Sequence, residues 1–462
     1  MMNVRTETDS LGKIEVPINA LYAAQTQRAV ENFPVSGQRM PAAFIVALIR
    51  VKAAACQANL SLDLLPKDIA KAIGSACAKL LSDEELSTHF PVDVFQTGSG
   101  TSSNMNANEV IATLANELRR IEAADVHPND HVNFGQSSND VIPTVIQVSA
   151  AQLIVEKLMP ALKHIIAVTK EKADVDGNVC KTGRTHLMDA MPVTLAQTLN
   201  TWASQYGQHI HTLETSLSLL KKLPIGGTAV GTGINTHPQF ASHFCTELSE
   251  DIDIDFAPAE NKFVSISSQD AAVICSSALK AIAVTTMKVA NDLRWMNSGP
   301  LAGLGEIALP SLQPGSSIMP GKVNPVIPES AAMVCAQVIG NDTAITVGGQ
   351  SGNFELNVML PMIAANLVSS IDLLSNTLVL LADKAIAGFT VNQDNMAQSL
   401  HRNPILVTAL NPIIGYAKAA EIAKTAYAQQ RPILEVALEM TDLSEQDLKE
   451  ALDPIKLTKG GM

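Results

Sequence analysis

The sequence has few aromatic residues and few charged ones. Aromatic residues make up 4% of its 462 residues, and alternating runs of Val, Ile and Thr are scarce, which disfavours a fold built mainly from strands. Charged residues make up only 17%, so we expect much of the surface to meet other subunits rather than water. The formal net charge of -13 disfavours a surface that follows phosphate groups, and neither DNA nor RNA is an expected partner.

Cysteine pairs at metal or disulfide spacing are also missing. The six cysteines lie far apart, which fits neither a zinc site nor a disulfide framework and indicates a reducing, cytoplasmic location. We expect no metal, because His209 and His211 are two residues apart on a predicted helix and would point to different faces. Residues 1–7 resemble neither a signal peptide nor a transit peptide. We expect no segment long and uncharged enough to span a bilayer, and no membrane partner.

Hydrophobic residues recur at helical spacing, which predicts a mainly α fold. One long apolar helix is expected from Asp140 onward, with a kink at Pro160, and a second from Asp270. A third is expected from Glu355 to Phe389. Long helices with apolar residues on more than one face favour a bundle whose core continues across subunits, although a monomeric bundle is the alternative.

The length of the chain exceeds the size at which a single hydrophobic core keeps growing. Polar, Gly-rich segments interrupt the helical pattern near Asn139 and near Asn392. These interruptions predict three domains: a mixed, mostly helical amino-terminal domain (1–138), a central long-helix bundle (139–392) and a small helical carboxy-terminal domain (393–462).

Four segments are dense in Gly, Ser, Thr and Asn although the chain as a whole is apolar. They cover residues 96–104, 127–140, 183–189 and 315–325. Short hydroxyl and amide side chains on a Gly-containing backbone suit an anion, and the start of the helix expected at Asp140 would direct amides toward a carboxylate. Taken alone, the first segment is more simply a turn, and Ser138, Asn139 or Asp140 more simply a helix cap. Together the four segments are candidates for one site.

Two Gly-rich segments resemble nucleotide-binding loops without fitting them. Residues 315–325 have five residues between their glycines and a Val after the Lys, so they miss the phosphate-loop pattern. Residues 226–233 lack the dinucleotide spacing and a preceding strand, and we interpret them as a tight turn. We therefore expect no cofactor.

The fourth segment, Gly-Ser-Ser-Ile-Met-Pro-Gly-Lys-Val-Asn-Pro at 315–325, resembles the signature loop of the fumarase and aspartase superfamily. The other three segments resemble the remaining shared regions of that superfamily in order and spacing, and the likeness covers essentially the whole chain. Within the superfamily, His186, Gly321 and residues 351–357 are similar to class II fumarases rather than to aspartases. Two alternatives stay open, an aspartate ammonia-lyase and a catalytically silent structural homologue.

The resemblance implies a fold and an activity. It implies five long central helices per subunit and a homotetramer with a 20-helix core, in which each active site gathers segments from three subunits. The implied reaction is the reversible hydration of fumarate to (S)-malate, a step of the tricarboxylic acid cycle, without a cofactor. It proceeds through a carbanion whose charge spreads into the neighbouring carboxylate.

The resemblance also implies roles for individual residues. By chemistry alone His186 would be the base at carbon, because an imidazole ordinarily titrates near neutrality whereas a Ser hydroxyl is a very weak acid. The family pattern instead assigns that proton to Ser316 as an alkoxide, with His186 on the water side, Glu329 as its orienting partner, and Lys322 stabilising charge. The implied substrate contacts are Ser99, Gly100, Thr101, Ser137, Ser138, Asn139, Thr185, Ser317, Lys322, Val323 and Asn324.

A second, lesser site is also implied. His127, Pro128, Asn129 and Asp130 resemble a secondary carboxylate site of fumarases. The basic residue that the family often carries three positions before this His is Ala124 here, which predicts a weakened second site.

Overall fold

A computed structural model describes residues 3–119 and 125–460 of the chain, and it confirms the mainly α fold. The α-helices are α1 (Ala24–Asn32), α2 (Ala42–Ser61), α3 (Lys67–Leu81), α4 (Thr101–Leu118), α5 (Ser138–Leu153), α6 (Met159–Asp176), α7 (Leu195–Leu220), α8 (Phe240–Ile252), α9 (Lys262–Ser267), α10 (Asp270–Met296), α11 (Val326–Gln350), α12 (Leu360–Leu381), α13 (Gln393–His401), α14 (Asn411–Ile414), α15 (Tyr416–Gln429), α16 (Ile433–Met440), α17 (Glu445–Ala451) and α18 (Pro454–Leu457). Leu86–His89 and Pro404–Leu410 are 3-10 helices, and Pro128–Val132, Ile154–Leu158 and Ala382–Ile386 are π-helical turns.

The strands within the described residues form four two-stranded pairs. Antiparallel pairs join β1 (Val4–Asp9) to β2 (Gly12–Pro17), β3 (Cys180–Thr185) to β4 (Met188–Thr194), and β7 (Ile307–Ala308) to β8 (Thr390–Val391). A parallel pair joins β5 (Lys222–Leu223) to β6 (Ala257–Pro258).

Among the described residues, five helical segments are 22 residues or longer, which is the number of long central helices that the family resemblance implies. Hydrophobic spacing alone predicted α5 with α6, α10 and α12, but it did not identify α7 or α11. The predicted start of the third helix at Glu355 was wrong, because α12 begins only at Leu360. The preceding residues form a loop in which the Asn357 side chain donates to Gly348 O at 2.9 Å and accepts from Met359 N at 2.9 Å. These local bonds compete with helical ones.

Pro160 lies within helical structure, two residues after a π-helical turn. The helical segment from Ser138 runs through α5, the π-helical turn Ile154–Leu158 and α6. Proline has no N–H to donate to the previous turn, so the backbone before it has to rearrange. A π-helical turn thus directly precedes the turn of helix that contains Pro160, and the kink expected at Pro160 stays a prediction.

The expectation that no segment could span a bilayer was wrong. Four described helical segments are long and apolar enough to cross a membrane by length and composition. They are Ala42–Ser61, Ser138–Asp176, Asp270–Met296 and Leu360–Ile386. Between 56% and 78% of each apolar window is buried inside the chain. Helices that are packed on several sides carry apolar residues all round, and hydropathy alone does not separate them from spanning helices.

The chain divides into two compact units. The first comprises Met1–Pro160, His209–Ala283 and Ala336–Ser375, and the second comprises Ala161–Gln208, Val284–Cys335 and Asn376–Met462. The three-domain division expected from the sequence stays a prediction.

In the first unit, α2 packs against α3, α5 and α8, and α4 packs against α3 and α5. The α1 helix is fixed to α4 by Glu109, a buried side chain. Its carboxylate accepts from the backbone N–H groups of Ala23 and Gln25 at 2.9 Å, and from Thr26 at 3.1 Å. A carboxylate at a helix amino-terminus pairs with amides that have no partner inside the helix.

In the second unit, the β3–β4 hairpin packs against α13, α18 and the 3-10 helix Pro404–Leu410. That 3-10 helix shares a hydrophobic core with α15, α16 and α17. The most deeply buried members of this core are Leu410, Ile422, Val436, Ala437 and Leu448. The hairpin therefore projects from a packed base.

Candidate active site

The first polar segment lies at the start of α4. Gly100 precedes the helix with φ of 72°, a left-handed conformation that favours glycine, and a Cβ there would meet the Ile142 side chain at 2.9 Å. Ser99 Oγ and Thr101 Oγ1 share a hydrogen bond of 2.9 Å. Ser99 is buried, so its hydroxyl and that of Thr101 are held side by side at a helix amino-terminus, a position that suits an anion.

The second segment caps α5. Ser137 is the N-cap: its Oγ accepts from Asn139 N at 3.2 Å, and its own N–H donates to Asp140 Oδ1 at 2.9 Å, which completes a capping box. The cap expected at Ser138, Asn139 or Asp140 is confirmed in part: the Asp140 carboxylate completes the capping box, but the capping hydroxyl belongs to Ser137. Asn139 Nδ2 donates to Ala229 O at 2.8 Å. The cap thus leaves the Ser138 hydroxyl available for other contacts.

Asp140 also fixes the Gly-rich turn at residues 226–233. Its Oδ2 accepts from Gly226 N and from Thr228 N, each at 2.9 Å, and the side chain is fully buried. Burial raises the pKa of Asp140 to about 6, while these backbone hydrogen bonds and Lys52 act to lower it. Gly226 has φ of 80°, which glycine adopts without strain. The turn therefore supports the amino-terminus of α5.

Asn104 brings the first two polar segments together. Its Nδ2 donates to Ser138 Oγ at 3.0 Å and to Asn133 Oδ1 at 3.2 Å. Asn104 is buried on α4, whereas Ser138 begins α5. The hydroxyls at the starts of α4 and α5 consequently belong to one polar cluster in the first unit.

The third segment is the tip of the β3–β4 hairpin in the second unit. Thr185 ends β3, and His186 and Leu187 are the two residues of the turn before β4 begins. His186 has φ of 53° and Leu187 has φ of 59°, a combination that two-residue hairpins normally reserve for Asn and Gly. Thr185 and His186 are both exposed. A strained, exposed turn of this kind often marks a functional position.

The fourth segment is a loop closed at its base. Asn324 Nδ2 donates to Gly315 O at 2.7 Å, and a Cβ added to Gly315 would clash with the Lys322 carbonyl oxygen. Gly321 has φ of 82°, which explains glycine at this position. The amide of Asn324, expected as a donor to developing charge, thus uses one hydrogen to close the loop.

Ser316 lies inside this loop with its hydroxyl facing backbone donors. Ser316 Oγ accepts from Met319 N at 3.1 Å and from Ile318 N at 3.3 Å. Ser317, Lys322 and Val323 are exposed. Two N–H groups directed at one hydroxyl oxygen favour negative charge on that oxygen.

Glu329 lies in the first turn of α11 and is half-buried. Among the described residues of one chain, no hydrogen bond or ion pair joins it to His186, and the imidazole of His186 bonds to none of them. The expected pairing of His186 with Glu329 stays a prediction.

The secondary carboxylate segment forms one short turn. His127 precedes the π-helical turn Pro128–Val132, and Asp130 N donates to His127 Nδ1 at 3.1 Å. His127, Asn129 and Asp130 are exposed. Ala124, on which the expectation of a weakened second site rests, lies outside the described residues.

Sequence reasoning missed Lys52, whose side chain hydrogen-bonds two residues of the second segment. Lys52 is fully buried on α2, and its Nζ donates to Asn133 Oδ1 and to Gln136 Oε1, each at 2.9 Å. A lysine inside an otherwise apolar helical run was the available signal, because lysine is almost never fully buried without partners.

Two family models match the chain, one described as lyase over residues 12–340 and one described as fumarase C C-terminus over residues 406–459. The chain is 62% identical over 462 residues to fumarate hydratase class II 2 of Pseudomonas aeruginosa, with 100% of both proteins covered. It is 57% identical over 458 residues to fumarate hydratase class II of Xylella fastidiosa strain 9a5c, covering 99% of this chain and 96% of the relative. The crystal structure of recombinant class II fumarase from Schistosoma mansoni superposes with a TM-score of 0.95 at 38% identity, with 99% of each chain covered.

Proposed function

The chain belongs to the class II fumarate hydratase family, and we propose that it performs this reaction with Ser316 as the base at carbon and His186 on the water side. The enzyme is a hydro-lyase that interconverts fumarate and malate. The assignment of Ser316 as the base rests on the hydrogen-bond donors around its Oγ. The two backbone N–H groups at 3.1 and 3.3 Å stabilise an alkoxide at this oxygen.

In the direction from malate, the Ser316 alkoxide takes the proton from the carbon beside one carboxylate. The electron pair left on carbon spreads into that carboxylate, which gives a state of three negative charges. The bond from the neighbouring carbon to its hydroxyl then breaks, and the hydroxyl leaves as water with a proton supplied from the side of His186. Lys322, an exposed cation in the same loop, stabilises the added charge.

In this proposal the substrate carboxylates are bound by groups of different subunits: the hydroxyl and amide groups at the starts of α4 and α5 come from one subunit, and Thr185 and the loop at 315–324 come from others. Ser99, Thr101 and Ser138 present hydroxyls at two helix amino-termini, and a helix amino-terminus attracts anions. Gly100 lets the start of α4 pack closely against the Ile142 side chain of α5, which a Cβ would meet at 2.9 Å. Donors of this type match the two ends of a dicarboxylate.

A homotetramer with active sites shared among three subunits is part of the proposal. Large apolar side chains on α10 and α11 are exposed in one chain: Val284 is 56%, Trp295 52% and Met333 69% exposed. Exposed apolar residues concentrated on long helices favour coverage by other copies. Sharing also accounts for the lack of a bond between His186 and Glu329 within the described residues of one chain.

We place the enzyme in the cytoplasm. We also propose that the secondary carboxylate segment at residues 127–130 binds weakly, because the sequence has Ala124 where the family often carries a basic residue. All six cysteines are free, and five of them are buried, which suits a reducing compartment.

The test of the catalytic assignment is the Ser316→Ala variant. We expect malate dehydration, followed by the absorbance of the fumarate double bond, to fall by at least about a hundredfold, because one positioned acid or base contributes roughly that much or more. Aspartate serves as a parallel substrate for wild type. Turnover of Ser316→Ala within a few-fold of wild type would refute the role of Ser316, and release of fumarate from aspartate alone would indicate an ammonia-lyase.

Subunit mixing tests the shared site. Equal amounts of inactive Ser316→Ala and His186→Asn tetramers, dissociated and reassembled together, should regain about a quarter of wild-type activity if each site draws these two residues from different subunits. Each variant reassembled alone is the control. A mixture that stays inactive would show that both residues come from one subunit.

A further inference from the structure

Lys52 has an unusual position for a lysine. It lies in the middle of α2, and its side chain is fully buried. Its Nζ lies 2.9 Å from Asn133 Oδ1 and 2.9 Å from Gln136 Oε1. Both partners are neutral amides, so the ammonium is hydrogen-bonded without forming a direct ion pair. Burying a charge is costly, so a fully buried lysine with only neutral partners calls for a functional explanation.

A continuous chain of hydrogen bonds leads from Lys52 to the Ser138 hydroxyl. Asn133 Oδ1 accepts both from Lys52 and from Asn104 Nδ2, the latter at 3.2 Å. The same Asn104 Nδ2 donates to Ser138 Oγ at 3.0 Å. Gln136, the second partner of Lys52, directly precedes the N-cap Ser137. The ammonium is therefore linked through side-chain hydrogen bonds to the residues that begin α5.

We propose that Lys52 is a positioning residue that holds the dicarboxylate-binding segment at residues 137–139 in place and supplies it with a buried positive charge. The inference rests on the proposed function, in which this segment binds a substrate carboxylate. Lys52 does not touch substrate. It acts through Asn133, Asn104 and Gln136, and its charge adds to the attraction of the α5 amino-terminus for anions.

The titratable groups around Lys52 determine how this charge responds to pH. Asp140 on α5 and Cys77 on α3 both act to raise its pKa, but burial outweighs them and lowers the pKa of Lys52 to about 7. On the side of α4 the chain presents the neutral Asn104. The ionisable side chains of α8 that contact α2 lie elsewhere along it: Asp251 pairs with Arg50, and His243 hydrogen-bonds the Ser61 hydroxyl.

Binding of a dianion near this ammonium favours its protonated form. By linkage, the binding of a dicarboxylate above about pH 7 must then be accompanied by uptake of a proton. The affinity of the enzyme for the dicarboxylate must fall as the pH rises further. A residue with a purely mechanical role would show neither effect. Proton uptake consequently separates the two roles.

Asn59 provides a matched control. It lies on the same helix, is 1% exposed, and its Nδ2 donates to Phe134 O at 3.0 Å. Asn59 thus anchors the same loop through a neutral hydrogen bond. Asn59→Ala loosens the loop but leaves the charge of Lys52 in place.

The experiment measures calorimetrically the binding of succinate, a saturated dicarboxylate that is not turned over, to the intact enzyme. Titrations at pH 8 in two buffers of different ionisation enthalpy give the number of protons taken up. We expect proton uptake by wild type and by Asn59→Ala. Lys52→Met should show no proton uptake, and its affinity for succinate should be about tenfold weaker or more, since a charge-assisted contact is lost. Lys52→Arg should keep the affinity without the uptake, because arginine stays protonated.

In turnover, the same variants separate binding from chemistry. Lys52→Met should raise KM by about tenfold while kcat changes by no more than about threefold, as expected when a uniform binding contribution is removed. Unchanged succinate affinity and proton uptake in Lys52→Met would overturn the inference and leave the hydratase assignment intact. If neither Lys52 variant assembles, the wild-type titration still tests the inference, because absence of proton uptake by wild type would overturn it. Failure of the Ser316 assignment would appear only in turnover.

Discussion

Lys181 Nζ lies 2.8 Å from Glu306 Oε2, and both side chains are almost completely buried. Arg184 also pairs with the Glu306 carboxylate. Both cations belong to β3, which ends at Thr185 immediately before His186. Burial lowers the pKa of Lys181, while Glu306 acts to raise it. The strained turn that carries His186 is thus joined to the rest of its unit by a buried cluster of three charges.

The first prediction concerns this cluster. We expect Glu306→Ala to lower the free energy of unfolding by about 3–5 kcal/mol, because removing one member of a buried ion pair leaves its partner charged and uncompensated. Chemical denaturation followed by circular dichroism measures the change. Glu421→Ala, which removes the exposed partner of Lys418, is the control and should have little effect. Equal stability of the Glu306 and Glu421 variants would show that the cluster does not stabilise the unit.

The second prediction compares two glycines in the loop that carries Ser316. Gly315→Ala should abolish activity, because its Cβ would clash with the Lys322 carbonyl oxygen and open the base of the loop. Gly321 has φ of 82° with no atom near the added Cβ, so Gly321→Ala should only strain the backbone, by about 1 kcal/mol, and reduce kcat modestly. Steady-state malate dehydration compares the two.

Gly37→Ala, at a position with φ of 72° and likewise no atom near the added Cβ, carries comparable strain away from the loop and is the control for Gly321. It should leave kcat unchanged. Gly315→Ala with wild-type kcat would mean that the loop closes differently from the structure.

Hydrophobic spacing predicted the mainly α fold and the positions of α5 and α10, because apolar residues recur on helical faces over long distances there. It could not predict the start of α12, which depends on hydrogen bonds of the Asn357 side chain. Residue composition also identified the polar segments, and the family resemblance gave them roles. A lysine in an apolar run could have marked Lys52 as unusual, but its partners could not be predicted, since Asn133 and Gln136 lie 81 and 84 residues further along the chain.

The third prediction concerns cysteine reactivity. Burial raises the pKa of every cysteine thiol, to about 12 for Cys56, Cys245, Cys275 and Cys335, and only Cys180 is more than slightly exposed. The thiolate is the reactive form, so alkylation by iodoacetamide at pH 7.5 should be slow and reach Cys180 first. Intact-mass spectrometry with peptide mapping measures the order of labelling. The unfolded chain is the control, and rapid labelling of Cys275 in the native enzyme would contradict the structure.

The last prediction concerns the effect of Lys52 on stability. Its pKa is lowered from 10.5 to about 7 in the folded chain, so between these values the unfolded state binds a proton that the folded state lacks. Stability must therefore rise with pH across this window, by up to about 1.4 kcal/mol per pH unit from this group alone. Below about pH 7 both states are protonated, and the cost of the buried charge is fully present.

Lys52→Met removes this dependence. The difference in Tm between wild type and Lys52→Met should accordingly shift in favour of wild type as the pH rises from 7 to 10, with Asn59→Ala as the control that retains the wild-type slope. A saturating dicarboxylate should reduce the slope just above pH 7, because it keeps Lys52 protonated in the folded state. Scanning calorimetry at constant ionic strength measures both slopes, and parallel curves for wild type and Lys52→Met would mean that Lys52 is not the group that titrates.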